Sequence, residues 1–169
     1  MTFSLGQRSL TFSAHVDPKL MAVVQHAIAL STVDFGMTED QSRTVAQQAA
    51  KVAAGVSHVR PGPAARHMIQ PDGFSKAVDL VPWVDGRFQW GDGQWRVTTA
   101  SGAVLTPFFD IAAAMRQAAI DMGVTLRWGA VWDRKLNDIQ GDLKTEVERY
   151  KARHAGPDFL DGPHFEIPL

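Results

Sequence analysis

Ala77-Val78-Asp79-Leu80-Val81-Pro82-Trp83 reads as a β-strand carrying one residue out of character. Val78, Leu80 and Val81 give it the apolar, β-branched look of a strand laid on a core. Asp79 sits among them. A carboxylate in that position loses its hydration unless a cation, a metal or several donors satisfy it. Upstream of this strand, His58 to Gly73 holds Pro61, Pro63 and Pro71 with Gly62 and Gly73, and reads as loop. Further back, Val33 to Thr38 is a short extended stretch. Downstream, Arg87 to Thr99 predicts a hairpin turning at Gly91-Asp92-Gly93, with Phe88, Trp90, Trp95 and Val97 on its arms. Val124 to Trp128 and His164 to Ile167 are the remaining strand candidates, the last one following a turn at Gly162-Pro163.

Four helices are expected around these strands. Asp17-Pro18 is an N-cap followed by proline at the first helical position. Leu20, Val23, Val24, Ala27 and Ile28 then recur on one face. Thr38 predicts the cap of a second helix, with Glu39 and Asp40 in its first turn, running to about Gly55. Thr106-Pro107 opens a third, with Phe108, Ile111, Met115 and Ala119 on one side and Gly123 at its end. Asn137 to about His154 is a charged helix with Ile139, Leu143, Val147 and Tyr150 on its apolar side. Helices and short strands in this irregular order do not alternate as a parallel α/β protein would. The expectation is an α+β fold: a small, mostly antiparallel sheet flanked by helices, in a single domain spanning residues 1–169.

Composition narrows the function. The chain has 169 residues, 45% hydrophobic and 21% charged, as a soluble globular domain does. Seventeen Lys+Arg against eighteen Asp+Glu, a net charge of −1, with no basic stripe, argues against nucleic acid as a partner. There are no cysteines. Disulfides, thiolate metal sites and a Cys nucleophile are excluded, so a transition-metal site must use histidine and carboxylate. The start, Met1-Thr2-Phe3-Ser4-Leu5-Gly6-Gln7-Arg8, has no apolar segment behind a basic one, and no apolar run approaches the roughly 20 residues that span a bilayer. Synthesis in the cytoplasm without a signal peptide, and no stable membrane insertion, are the expectations.

Six histidines are available. His26 lies near the apolar face of the first helix and His154 ends the charged one, so packing and helix-end electrostatics account for them. His15 and His58 lie in loops with no carboxylate at a telling distance. His67 differs, because it leads through a Pro/Gly loop to Asp79. His164 differs too: in Asp161-Gly162-Pro163-His164-Phe165-Glu166 its side chain shares a strand face with Glu166. Two histidines and one carboxylate form a ligand set for Zn²⁺ with one position left open, as catalysis requires. Asp161 then stands where a general base would. On spacing alone, a structural salt bridge at Asp79 with incidental histidines explains the same residues.

Taken in order, these motifs resemble a known family, peptidase family M15, and within it the phage endolysins that cleave the L-alanyl-D-glutamate bond of peptidoglycan. The first motif of that family, S-x-H followed by A-x-D, is matched by Ala65-Arg66-His67 and Ala77-Val78-Asp79. The second, an acid three residues before a histidine, is matched by Asp161 and His164. Leu126-Arg127-Trp128-Gly129, Trp132-Asp133 and the opening Phe3-Ser4-Leu5-Gly6-Gln7-Arg8-Ser9-Leu10 are similar to endolysin segments, so the likeness covers nearly the whole chain.

The resemblance implies a fold similar to the hedgehog and D-Ala-D-Ala peptidase fold and one zinc ion on His67, Asp79 and His164. It implies Asp161 as general base and Arg43 as the donor that steadies the oxyanion. Read as a helix-surface residue, Arg43 would instead pair with Glu39 or Asp40. The substrate implied is the peptidoglycan stem peptide, cut by a monomer acting at the cell wall after release. Two other functions fit the same residues: a D,D-carboxypeptidase or dipeptidase acting on D-Ala-D-Ala ends, and a non-catalytic, zinc-stabilised cell-wall binding module. Ala65 stands where the family has serine, which predicts a lost hydrogen bond behind the metal site. Of the five tryptophans, Trp128 and Trp132 are the expected groove residues.

Overall fold

The computed structural model describes residues 2–154 and 159–169. A short helix, α1 (Gln7–Phe12), precedes α2 (Pro18–Leu30). The Asp17 carboxylate accepts the backbone N–H groups of Lys19 and Leu20, and Pro18 takes the first helical position, where its missing N–H costs nothing. The expected face of α2, from Leu20 to Ile28, is buried throughout. β1 (Phe35–Met37) follows.

The next helix, α3 (Val45–Ala53), begins behind Thr44 rather than Thr38. Thr44 and Gln47 form a reciprocal capping box, each side chain bonding the other's backbone N–H. Residues 38–44 are thereby free to run as an irregular strap. That strap bonds the distant loop around His67: Arg43 N–H donates to the His67 carbonyl (2.7 Å), and Ile69 N–H to the Arg43 carbonyl (2.8 Å).

β2 (Ala77–Val84) and β3 (Arg87–Phe88) form a hairpin. It turns at Asp85-Gly86, not at Gly91-Asp92-Gly93, because both residues of that pair adopt positive φ (51° and 76°), as a tight two-residue turn demands. Gly91 instead caps the short α4 (Asp92–Trp95), and the following β4 (Val97–Thr98) pairs with β5 (Val104–Leu105).

α5 (Pro107–Asp121) buries Phe108, Ile111, Met115 and Ala119 as its pattern predicts, and packs on α2. β6 (Arg127–Trp128) is shorter than expected. The charged segment does not open a helix at Asn137: the Asn137 side chain is spent on the backbone of Val124 and Leu126, and Gly141 turns with φ 79°. A 3-10 turn at Leu136–Asp138 comes first, and α6 (Leu143–Arg153) starts behind Asp142, whose carboxylate caps Thr145. Ile139, Leu143, Val147 and Tyr150 are nonetheless all buried. β7 (His164–Glu166) closes the sheet.

The main sheet runs β1-β2-β7-β6, with β3 hydrogen-bonded to β2, and every pairing in it is antiparallel. It is thus an α+β protein with helices against a small open sheet. Strand alternation divides the residues cleanly. Val78, Leu80, Phe165 and Trp128 join Phe108 and the α2 and α5 faces in the core. Asp79, His164, Glu166 and Arg127 take the other face. No helix among the described residues is long and apolar enough to cross a membrane.

One close approach fixes the loops at the sheet's end. Gly129 N–H donates to the His164 carbonyl and the Gly129 carbonyl accepts from Asp161 N–H, both at 2.9 Å. A Cβ at residue 129 would lie 2.3 Å from the Asp161 carbonyl oxygen and 3.0 Å from the His164 Cβ. Gly129→Ala is therefore expected to cost about 1–3 kcal/mol through overpacking and to displace Asp161. Thermal melts check the first effect and activity the second. Gly6→Ala, where a Cβ meets nothing within 4 Å, should change neither.

Candidate metal centre

The pairing of β2 with β7 sets Asp79 directly opposite His164. The strap-bonded loop brings His67 alongside. His67 Nε2 lies 3.2 Å from Asp79 Oδ1 and 3.2 Å from His164 Nδ1, and His164 Nδ1 lies 3.4 Å from the same Oδ1. A loop, the strand that follows it and the last strand thus bring three residues together, each offering one ligand atom to a common centre.

The outward-facing nitrogens say what the inward ones are. His67 Nδ1 lies 3.2 Å from the Gln41 carbonyl, and His164 Nε2 lies 2.9 Å from Glu166 Oε2. Carbonyl and carboxylate oxygens only accept, so each of these nitrogens carries the hydrogen and donates. In neutral rings, His67 Nε2 and His164 Nδ1 are then bare lone pairs, facing each other and a carboxylate oxygen. Asp79 Oδ1 is sealed from solvent with no aligned hydrogen bond, although the side chain as a whole keeps 30% exposure through its other atoms. Three lone-pair atoms held this way repel one another unless a cation stands between them.

The residues fit a metal ion on that ground. A tetrahedral ion with bonds of about 2.0–2.1 Å sets its ligand atoms about 3.3–3.4 Å apart, close to the separations found here. Two imidazole nitrogens also favour a transition metal over the all-oxygen preference of calcium or magnesium. Burial works against charge on His164, yet Asp79 and Glu166 push its pKa up to about 10. Burial likewise opposes charge on Asp79, and the two imidazoles, His67 foremost, hold its carboxyl well below the usual carboxylate range.

Around this centre lies a cleft of about 870 Å³. Asp161 and Arg43 both line it. Burial, reinforced by the negative charge of Asp79, raises the half-buried Asp161 carboxyl above its ordinary value. Arg43 does not pair with Glu39 or Asp40: Asp40 binds Lys51 and Glu39 lies by Arg8. Its Nη1 donates to Gln48 (3.3 Å), and its buried Nε has no partner. Among the described residues it is a guanidinium without a carboxylate.

Some of the other candidate residues sit as expected and some do not. Trp128 is wholly buried in the core and lines no groove, its indole N–H spent on the Gly162 carbonyl. Trp132 does line the cleft, tilted against the His164 ring at 5.2 Å and stacked on Phe159. His58 lies on the rim of the same cleft, whereas His15 is an exposed loop residue. His26 is not core but pairs with Asp121 at 3.0 Å on the surface, and His154 stacks on Tyr150 at the end of α6. None of α6 lines the cleft. Ala65 is buried and its side chain offers no hydrogen bond, but His67 is held by Gln41 instead.

Gln41 is the residue that sequence reasoning passed over. Its side chain grips both sides of the Asp79 peptide: Oε1 accepts Asp79 N–H (2.8 Å) and Nε2 donates to the Asp79 carbonyl (3.3 Å). Its own carbonyl takes the His67 N–H and the Ser75 hydroxyl. One residue therefore ties two of the three converging side chains together.

Residues 1–168 match the model of the phage L-alanyl-D-glutamate peptidase family. The chain belongs to that family. The L-alanyl-D-glutamate peptidase of Escherichia phage T5 is 29% identical over 167 residues, covering 99% of both chains. The crystal structure of the Serratia marcescens L-Ala D-Glu endopeptidase ChiX superposes with a TM-score of 0.65 at 25% identity, covering 99% of this chain and 91% of that one. The α+β architecture with an open sheet is thus that of an L-Ala-D-Glu endopeptidase. Family membership extends over the chain from the strap to the last strand, so Gln41, Glu166 and Arg127 all fall within it.

Gln41→Ala is expected to leave the buried Asp79 peptide groups unsatisfied, at a cost of about 1–3 kcal/mol each. It should also loosen both Asp79 and His67. Thermal unfolding and divalent-metal titration of the variant should show lower stability together with weaker binding if the centre holds an ion.

Proposed function

We propose that this chain, working as one domain, is a zinc-dependent endopeptidase that hydrolyses the L-Ala–D-Glu bond of bacterial peptidoglycan. The observation that carries this reading is the convergence of His67 Nε2, Asp79 Oδ1 and His164 Nδ1, within 3.2–3.4 Å of one another, in a member of a peptidase family. His67, Asp79 and His164 would hold the ion. When bound, zinc supplies a Lewis acid that polarises the scissile carbonyl and lowers the pKa of water toward about 7.

The protein's own residues supply the rest. Asp161, in the cleft beside the ligands, takes the proton of the attacking water as its oxygen bonds the L-Ala carbonyl carbon. It returns that proton to the D-Glu nitrogen as the C–N bond breaks, so that a neutral amine leaves. Arg43 donates to the carbonyl oxygen as negative charge gathers there; its unpartnered Nε and the lack of an internal carboxylate leave it free to do so. The acid beside an open ligand set speaks against a purely structural metal, and hence against a non-catalytic wall-binding module.

Digestion of purified peptidoglycan, read by mass spectrometry, tests the reading. New D-Glu amino termini, lost on chelation and restored by zinc, are expected. Free D-Ala would mean a D,D-carboxypeptidase, and no product would return the binding module. Asp161→Asn should keep zinc and lose about 10²–10⁴ in turnover, whereas His67→Ala or His164→Ala should lose both zinc and activity. Arg43→Ala is expected to lower kcat by about 10²–10³ with zinc retained. An Asp161→Asn enzyme with normal turnover would sink the assignment of the base.

A further inference from the structure

Arg127 and Glu166 face each other across the β6–β7 pair, on the floor of the cleft. Glu166 is only 2% exposed. Its two oxygens have separate duties. Oε2 accepts the Nε2–H of His164 at 2.9 Å, while Oε1 accepts both Nε (2.9 Å) and Nη2 of Arg127. The guanidinium is covered in turn by Trp132, whose ring centroid lies 5.6 Å away, and the same ring leans on His164. A carboxylate buried this deeply is costly unless a cation compensates it. By fastening one oxygen with two N–H groups, Arg127 also stops the carboxylate from rotating away from the imidazole.

We infer that Glu166 is the positioning residue that keeps the hydrogen of His164 on Nε2 and leaves Nδ1 as the ligating lone pair, and that Arg127 acts on the metal site through Glu166 rather than through substrate. The inference rests on the zinc reading given above. Outer partners of ligating histidines set the tautomer, orient the ring and raise its basicity, and losing one typically weakens metal binding about 10–100-fold. Among the described residues no carboxylate backs His67, whose outward nitrogen meets an uncharged carbonyl. His164 is therefore the ligand whose strength is tuned by charge.

Zinc dissociation constants, measured on apo-protein by competition with a chromophoric chelator, test this without any substrate. Glu166→Ala should weaken binding about 10–100-fold. Glu166→Gln, with one acceptor in place of two, should fall between it and the wild type. Arg127→Ala should weaken binding by less than Glu166→Ala. The double variant should bind no more weakly than Glu166→Ala alone, since the two residues form one line of action. Melting curves of the apo-proteins separate a folding defect from a site defect. If Glu166→Ala and Glu166→Gln both fold and bind zinc as the wild type does, the positioning role is overturned. Additive losses in the double variant would overturn the indirect role of Arg127. His67→Ala serves as the reference: if it binds zinc as well as the wild type, the metal-site reading itself fails and takes the inference with it. If only His67→Ala loses zinc, that reading stands and the inference alone falls.

Discussion

The structure depends on the register of one strand pair. Asp79 opposes His164 across β2 and β7, and because side chains alternate along a strand, a slip of β7 by one residue would turn His164 into the core and Phe165 out of it. The core therefore fixes the site. Val78, Leu80 and Phe165 are wholly buried, and the apolar area they remove from water holds the polar pair on the opposite face. The hydrophobic pattern of two short strands is thus also the instruction that sets a carboxylate beside an imidazole.

The third side chain arrives differently. His67 lies in a Pro/Gly-rich loop, where no ladder fixes it. Its placement comes from the strap at residues 38–44, which bonds that loop on one side and Asp79 on the other through Gln41. The capping box at Thr44 keeps α3 from growing backward into the strap. A helix boundary, ordinarily a local matter, here decides where His67 sits. The same strap presents Arg43 toward the cleft with Nε unpaired.

How much of this was readable follows from what sort of signal each part leaves. Asp79 announced itself because a carboxylate in an apolar strand is physically anomalous, and Asp161 and His164 because of their spacing and family likeness. Glu166 was visible as a neighbour of His164 on one strand face, by the period of two, although its partner Arg127 lies 39 residues away and needed the sheet to reveal it. Gln41 left no signal: a glutamine in a polar stretch is ordinary until its side chain is seen replacing a strand's hydrogen bonds. Helix starts marked by proline, at Asp17-Pro18 and Thr106-Pro107, are legible in the sequence. The starts expected at Thr38 and Asn137 fall too early, because polar residues ahead of a helix look like its first turn until tertiary bonds claim their side chains. Trp128 misled for a related reason. Membership in a functional motif does not distinguish a residue that touches substrate from one that packs beneath it.

Charge arrangement ties these observations to chemistry. Asp79, Asp161 and Glu166 gather at one end of the sheet, where burial opposes the ionisation of each. Glu166 is held ionised by His164 and Arg127, and Asp79 by the two imidazoles, so both lie below their ordinary range. Asp161 alone is raised, because burial and the charge of Asp79 outweigh the help of His164, His67 and Arg43. A set of three neighbouring carboxyls is thus split into two that are committed to holding charge in place and one that is easier to protonate. That division suits the roles proposed above: a group that holds an ion, or orients a residue that does, must stay ionised, while a group that moves a proton must be able to accept it and let it go.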